Sequence, residues 1–257
     1  MSADFQSCRL QISPPSATLS LRRPPLHVLD LSAIGELSRA LDDVAERPEV
    51  MVLILTSLGG RAFSAGVEVR DHLPERLDEM LETFHDLCRR LIELPALTVA
   101  AVKGPALGGG MELAACCDFV IASENASFSH PEIDVGCFPP FGASLYPALF
   151  GARRAKEIVL LGERFSAAEA RELGLVNRVV RESELDSAVA ELVSRIIQKS
   201  PAALRLAKKA LRLATDRALE TLPEIEAIYS EELAATEDMI EGLQAFLEKR
   251  KPVWKGR

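Results

Sequence analysis

The apolar positions of the chain fall into two textures. Up to about residue 182, short and nearly continuous apolar runs alternate with stretches in which apolar residues recur every three or four positions. The runs "ATLSLRR" (17–23), "VMVLILTS" (50–57), "LTVAAVKG" (97–104) and "DFVIASE" (118–124) predict strands covered on both faces, because a strand with one wet face would alternate apolar and polar residues. Between them, "LDLSAIGELSRALDDVAER" sets Leu31, Ile34, Leu37, Leu41 and Val44 at helical spacing. "PERLDEMLETFHDLCRRLIEL" does the same with Leu77, Met80, Leu81, Phe84, Leu87, Cys88 and Leu91, and Pro74 suits its first helical turn. Strand and helix in alternation predict an α/β fold.

From about Ser183 the pattern changes to long amphipathic helices: "SELDSAVAELVSRIIQKS", "PAALRLAKKALRLATD" and "TLPEIEAIYSEELAATEDMIEGLQAFLEKR". The chain therefore divides into a core, residues 1–182, and a helical region, residues 183–257. Helices with such wide apolar faces need a surface to cover them, either a second copy of the chain or their own core.

Composition narrows the setting. With 257 residues, 48% of them hydrophobic, the chain can bury a full core. No run of about 18 apolar residues could span a bilayer, and "MSADFQSCRL" lacks the apolar core of a secretory signal, so a cytoplasmic protein without a membrane partner is expected. Five cysteines without a CxxC spacing, two of them adjacent at Cys116 and Cys117, fit neither a disulfide framework nor a zinc site and read as reduced core residues. A net charge of −8 argues against nucleic acid as a partner, since neutralising phosphates needs a basic surface.

Candidate chemistry begins at "PALGGGMELAACCD" (105–118), where three glycines precede a helix carrying Glu112 on its first turn. Glycine costs about 1 kcal/mol against alanine inside a helix, so the run serves the approach to the helix, as a tight turn or as a backbone cradle for an oxyanion. "GGRAFSAGVEVRDH" (59–72) ends another strand with Ser64, Ala65 and Gly66 at a turn. Two such turns could converge two N–H groups on a carbonyl oxygen that becomes an enolate. In "ASFSHPEIDVGCFPPFGA" (126–143), Glu132 sits between a short strand and an apolar loop, as a surface carboxylate or as a second working one. Two carboxylates in an apolar site cannot both ionise cheaply, so one can act as acid and the other as base.

"RAFSAGVEV", "GPALGGGMELAACCDFVIASENASFSHPEIDVGCFPP" and "AAEARELGLVNRVV", in this order and at this spacing, resemble the enoyl-CoA hydratase/isomerase (crotonase) superfamily, from about residue 15 to the C-terminus. The resemblance implies a spiral of ββα units with a C-terminal helical trimerisation region, a homotrimer or dimer of trimers, an acyl-CoA thioester as substrate, and no metal or other cofactor. It makes the N–H groups of Val67 and Gly109 the oxyanion hole, and Glu112 and Glu132 the catalytic pair, with Glu132 supplying the proton for carbon. Having both glutamates implies addition or elimination of water rather than double-bond isomerisation. For coenzyme A it implies contacts from Pro25, Leu26, Ala65, Val67, Phe246 and Lys249, with Arg23 and Lys103 as lesser contributors; the closing basic cluster could equally be a solvated tail. For the acyl pocket it implies Leu73, Phe84, Phe138, Pro139 and Phe141.

One departure bears on the substrate. Where straight-chain enoyl-CoA hydratases have a "PGAGGTQRL"-type loop, this chain has "PPFGASLYP" (139–147). Together with "AFSAGVEVRDHLPERLDEML", "PEIDVGCFPP" and "RRPPLHVLD", it is most similar to the cyclohexa-1,5-diene-1-carbonyl-CoA hydratases, which implies a cyclic dienoyl substrate; a short or branched enoyl-CoA is the alternative. His27 stands where those enzymes usually have asparagine, beside the expected coenzyme A contacts.

Overall fold

The structure, a computed structural model, describes residues 2–257, with side chains from Phe5 onward. Its strands are β1 (Ser2–Asp4), β2 (Cys8–Ser13), β3 (Ser16–Leu21), β4 (Val52–Ser57), β5 (Leu97–Val102), β6 (Pro105–Leu107), β7 (Phe119–Ser123), β8 (Ser127–Ser129), β9 (Phe165–Ser166) and β10 (Arg178–Val180). The α-helices of the core are α1 (Leu31–Ala45), α2 (Leu77–Glu93), α3 (Gly109–Ala115), α4 (Pro140–Phe150), α5 (Ala152–Leu161) and α6 (Ala167–Glu172). After residue 183 come α7 (Leu185–Ile197), α8 (Pro201–Leu219), α9 (Leu222–Ala227) and α10 (Glu237–Leu247).

The main sheet runs β1-β2-β3-β4-β5-β7-β10, antiparallel over β1 to β3 and parallel from β3 onward. The smaller sheet is β6-β8-β9, and an isolated parallel bridge between Ser64 and Ala106 extends it. Each step along the chain therefore leaves the main sheet, touches the small one and enters a helix: β4, Ser64, α2; then β5, β6, α3; then β7, β8, α4. These are successive ββα turns. Because β4 and β5 pair in register, the segments leaving their ends emerge side by side.

All four expected strands form, with ends trimmed by at most two residues and β3 starting one residue earlier. β2 was not among the expected strands, although Cys8, Leu10 and Ile12 alternate with Arg9, Gln11 and Ser13 as a strand with one wet face does; its burial follows that alternation. Pro74 does not open α2. It lies in a turn before Leu77, because the residue preceding a proline avoids helical backbone and Leu73 is extended at φ −67, ψ 150. The carboxylate of Asp71, fully buried, accepts from Leu31 N (3.1 Å) and pairs with Arg76 (2.6 Å), which pins that turn.

Both faces of the main sheet are covered. Ile34, Leu37, Leu41 and Val44 of α1 and Leu87, Cys88 and Leu91 of α2 build the larger cluster on one face. On the other, Leu185, Ala188, Val189 and Ile196 of α7 pack on Val52, Leu97, Val99, Ala101 and Ile121, so the helical region lies partly against the chain's own sheet. Leu206, Leu211 and Leu213 of α8 remain 67%, 78% and 58% exposed. All five cysteines are free thiols, and burial pushes those of Cys8 and Cys137 up to about 12. Among the described residues no helix is long and apolar enough to cross a membrane.

Helix α8 is tied down by one buried cation. Lys208 Nζ donates to Ala96 O (2.9 Å) and meets Asp118 Oδ2 (2.7 Å), which also accepts from Thr98 N (2.7 Å). Removing one partner of such a pair leaves the other short of compensation, so Lys208→Met should cost about 2–3 kcal/mol of stability, less than a fully buried pair because Asp118 keeps some contact with water. Urea unfolding measures this; a loss under about 0.5 kcal/mol would mean that solvent already screens the pair.

Candidate active site

Gly108 follows β6 in a left-handed conformation (φ 52, ψ −127), and its N–H donates to Ser129 O at 2.9 Å. The other glycines of the run are required by contact. A Cβ on Gly109 would lie 2.8 Å from Phe84 Cζ, and one on Gly110 would lie 2.5 Å from Ser64 O. A Cβ on Gly108 would strike Glu132 Oε1. The run is thus packed between α2, the Ser64 turn and the second carboxylate.

The Ser64–Val67 turn faces it. Leu107 N donates to Ser64 O (2.9 Å) and Phe63 N to Pro105 O (2.9 Å), so the turn runs alongside β6. Gly66 is also left-handed (φ 88), and a Cβ there would lie 2.7 Å from Leu107 O and 3.1 Å from Gly109 N. The bridge between Leu29 and Val67 uses Gly66 O and Glu68 N, which turns the Val67 N–H the other way. Gly109 opens α3, where a first N–H has no helical acceptor. Among the described residues neither N–H has a protein partner, and both residues line one cavity of about 340 Å³.

Both glutamates line that cavity as well. Glu112 is 4% exposed, and its Oε1 accepts from Gly142 N at 2.8 Å. Glu132 lies on a short 3-10 turn, Pro131–Val135, with Oε2 3.2 Å from Nδ1 of the fully buried His130. Each carboxylate thus has one oxygen held and one without a protein partner among the described residues. Burial raises the pKa of Glu112, and the charge of Glu132 adds to this against the opposing pull of His130 and His85 and the Gly142 hydrogen bond. Burial works against a charged His130, but the adjacent Glu132 carboxylate overcomes it, and the imidazole pKa rises.

Ala65, Phe84, Phe138, Pro139 and Phe246 line the cavity with Val67 and Gly109, and Phe246 is 54% exposed at its rim. Phe138 meets Tyr229 edge-on at 5.0 Å. Two expected acyl-pocket residues lie elsewhere. Phe141 is fully buried behind the wall, its ring 5.7 Å from His85, because α4 begins at Pro140 and its first turn points Phe141 into the core. Leu73 does not line the cavity itself but packs on the cluster that includes Met80 and Tyr229, which do. Pro25 and Leu26 do not line the cavity either; their carbonyls accept from Arg61 N and Ala65 N, both at 2.8 Å, and so strap the segment that leads into the Ser64–Val67 turn. Lys249 lies in the turn after α10 with φ 55 and is exposed.

His27 is buried and takes a structural part. Its Nδ1 accepts from Arg23 N (3.0 Å), its Nε2 donates to Gly59 O (2.9 Å), and its carbonyl accepts from Ser64 Oγ (2.8 Å). It is therefore wired into the same turn rather than facing a ligand. Arg23 is engaged by Asp30 (2.6 Å) and Val28 O (2.9 Å).

Sequence reasoning missed His130, His85, Tyr146 and Tyr229. His130 adjoins the Pro131–Glu132 pair that drew attention, but a lone histidine in a core carries no pattern. Residues 140–150 read as an apolar loop and are the helix α4, so the one-turn relation of Gly142 to Tyr146 was hidden. Tyr229 comes from the helical region and closes the cavity from a distance of some 100 residues along the chain.

The chain matches the sequence pattern of the enoyl-CoA hydratase/isomerase family over residues 16–257. It is 33% identical over 240 residues to the cyclohexa-1,5-dienecarbonyl-CoA hydratase of Thauera aromatica, covering 93% of this chain and 92% of that one. To the crotonyl-CoA hydratase of Syntrophomonas wolfei it is 36% identical over 252 residues, covering 96% and 97%. The crystal structure of an enoyl-CoA hydratase from Mycobacterium avium subsp. paratuberculosis superposes with a TM-score of 0.88 at 31% identity, over 98% of this chain and all of that one. From its ββα turns to its terminal helices, the chain belongs to the enoyl-CoA hydratase/isomerase family.

Proposed function

We propose that this protein adds water to a conjugated acyl-CoA thioester, and that the substrate is cyclohexa-1,5-diene-1-carbonyl-CoA, giving 6-hydroxycyclohex-1-ene-1-carbonyl-CoA. The observation that carries this reading is the convergence, in one apolar cavity, of two unpartnered N–H groups and two carboxylates with one free oxygen each. The thioester oxygen would sit between the N–H groups of Val67 and Gly109, which act where charge develops; losing one such donor typically costs about 3 kcal/mol in barrier. Water would lie between the free oxygens of Glu112 and Glu132. Glu112, whose burial favours the neutral carboxyl, donates a hydrogen bond to it. Glu132 takes a proton from the water as its oxygen bonds to the β carbon, and the thioester oxygen carries the charge as an extended dienolate. Glu132 then returns the proton to the far carbon of the diene, so the elements of one water are added and both carboxyls end as they began.

Support for the cyclic acyl group comes from the bulky and rigid side chains that line the cavity, Phe84, Phe138, Pro139, Pro140 and Tyr229. Likeness to the Thauera enzyme points the same way. The slightly higher identity to the Syntrophomonas crotonyl-CoA hydratase supports a short linear substrate as the second reading. A homotrimer or dimer of trimers accounts for the exposed leucines of α8, which a neighbouring copy would cover.

A panel of cyclic, branched and linear enoyl-CoAs, followed by loss of conjugated absorbance, should give its highest kcat/KM with the cyclic diene. Equal or better turnover of crotonyl-CoA selects the second reading. With the preferred substrate, Glu132→Gln should lower kcat by about 10²-fold or more, and a change within a fewfold contradicts the two-carboxylate mechanism. Gly108→Ala should lower kcat strongly as well, since its methyl group displaces the Glu132 carboxylate, while KM changes less. Light scattering should return a mass of three or six chains; a stable monomer excludes the assembly.

A further inference from the structure

Helix α4 stands behind the cavity and reaches both carboxylates. Gly142 N–H donates to Glu112 Oε1 at 2.8 Å. One turn further on, the Tyr146 hydroxyl lies 2.5 Å from His130 Nε2, and the other imidazole nitrogen lies 3.2 Å from Glu132 Oε2. The two arms are in contact, because a Cβ on Gly142 would lie 2.7 Å from Tyr146 Cε2: the tyrosine ring packs on the backbone that holds Glu112. Tyr146 and His130 are both fully buried, and neither lines the cavity.

Two polar side chains placed wholly inside a core lose their hydration and must be compensated. Here each satisfies the other, and the chain of bonds ends on a carboxylate at the cavity wall. We propose that Tyr146 and His130 are positioning residues for hydration, a relay that holds Glu132 Oε2 and leaves Oε1 toward the cavity, so that one helix sets both carboxylates. The inference rests on the hydratase reading. A phenol hydroxyl can donate or accept, so the imidazole keeps an N–H on Glu132 whether it is neutral or charged. Burial holds the Tyr146 hydroxyl in its protonated form. The groups acting on the imidazole are Glu132 from its own loop, Tyr146 from α4 and Glu112 from α3, with His72 acting on Glu132 from the turn after Val69.

The arrangement explains two features of the sequence together. "PPFGASLYP" folds into the first turns of α4, and the helix brings a tyrosine one turn after the glycine that holds Glu112. The histidine before Pro131 then has a partner for its second nitrogen.

The test compares His130→Leu, His130→Gln and Tyr146→Phe with wild type in the full-length protein, by kcat and KM against pH and by infrared titration of carboxyl groups, with Glu132→Gln identifying the Glu132 band. His130→Leu should lower kcat by about ten- to a hundredfold with KM little changed, and the acid limb of its kcat profile should move to higher pH, because the ionised carboxylate has lost its donor. His130→Gln restores an N–H and should recover most of the rate and return the limb; Tyr146→Phe should move it in the same direction as leucine, by less. An acid limb and a Glu132 band that stay in place in the folded variants overturn the relay and leave both residues as packing. The infrared band needs no substrate, so if the wild type hydrates none of the thioesters, the hydratase reading fails on its own and the band still decides the relay. Should His130→Leu not fold, the glutamine and phenylalanine variants carry the same comparison.

Discussion

Gly66 lies against the nitrogen of Gly109, and the site follows from how closely those two backbones approach. Adjacent parallel strands deliver two turns to the same place, but side chains would hold the turns apart, and glycine at both positions removes that obstacle. The cost is conformational: glycine loses more backbone freedom on folding than any other residue, but the left-handed backbone at Gly66 and Gly108 would be strained with a side chain. In exchange the N–H groups of Val67 and Gly109, two residues that line one cavity, are left without a protein acceptor among the described residues. A backbone donor cannot rotate away, so this pair is already organised before a ligand arrives.

The same crowding fixes the two carboxylates. Glu132 fills the space where Gly108 has no side chain, so the glycine turn and the second carboxylate constrain each other directly. Glu112 is the more deeply buried, and an ionised carboxylate there would have little beyond the Gly142 N–H to compensate for lost water. Burial therefore separates the behaviour of two chemically identical side chains. The apolar walls contributed by α2 and the terminal helices strengthen that separation by keeping the local dielectric low.

Much of this was legible in the sequence, where local pattern coincides with local structure. The strands and helices around the core declared themselves through apolar periodicity, and the glycine run could be recognised as too costly for helix interior. The meeting of Val67 with Gly109, and of Glu112 with Glu132, was reachable only because the spacing of motifs resembled a family. What escaped notice has physical causes. Strands of two or three residues have no period, whereas β2 carries the two-residue alternation of a half-wet strand and was missed only because it is not a continuous apolar run like the others. A helix beginning with two prolines and containing a third at Pro147 reads as loop, which hid Tyr146 and turned Phe141 from the cavity into the core. His27 showed only as a substitution beside expected ligand contacts, and its three hydrogen bonds to the turn come from tertiary structure alone.

The measurement that bears most directly on the account is a crystal structure with a slowly reacting acyl-CoA thioester bound. The account predicts the thioester oxygen within about 3 Å of the nitrogens of both Val67 and Gly109, and an ordered water between the free oxygens of Glu112 and Glu132. A thioester oxygen bound away from these two N–H groups, or reacting carbons out of reach of Glu132, would contradict it.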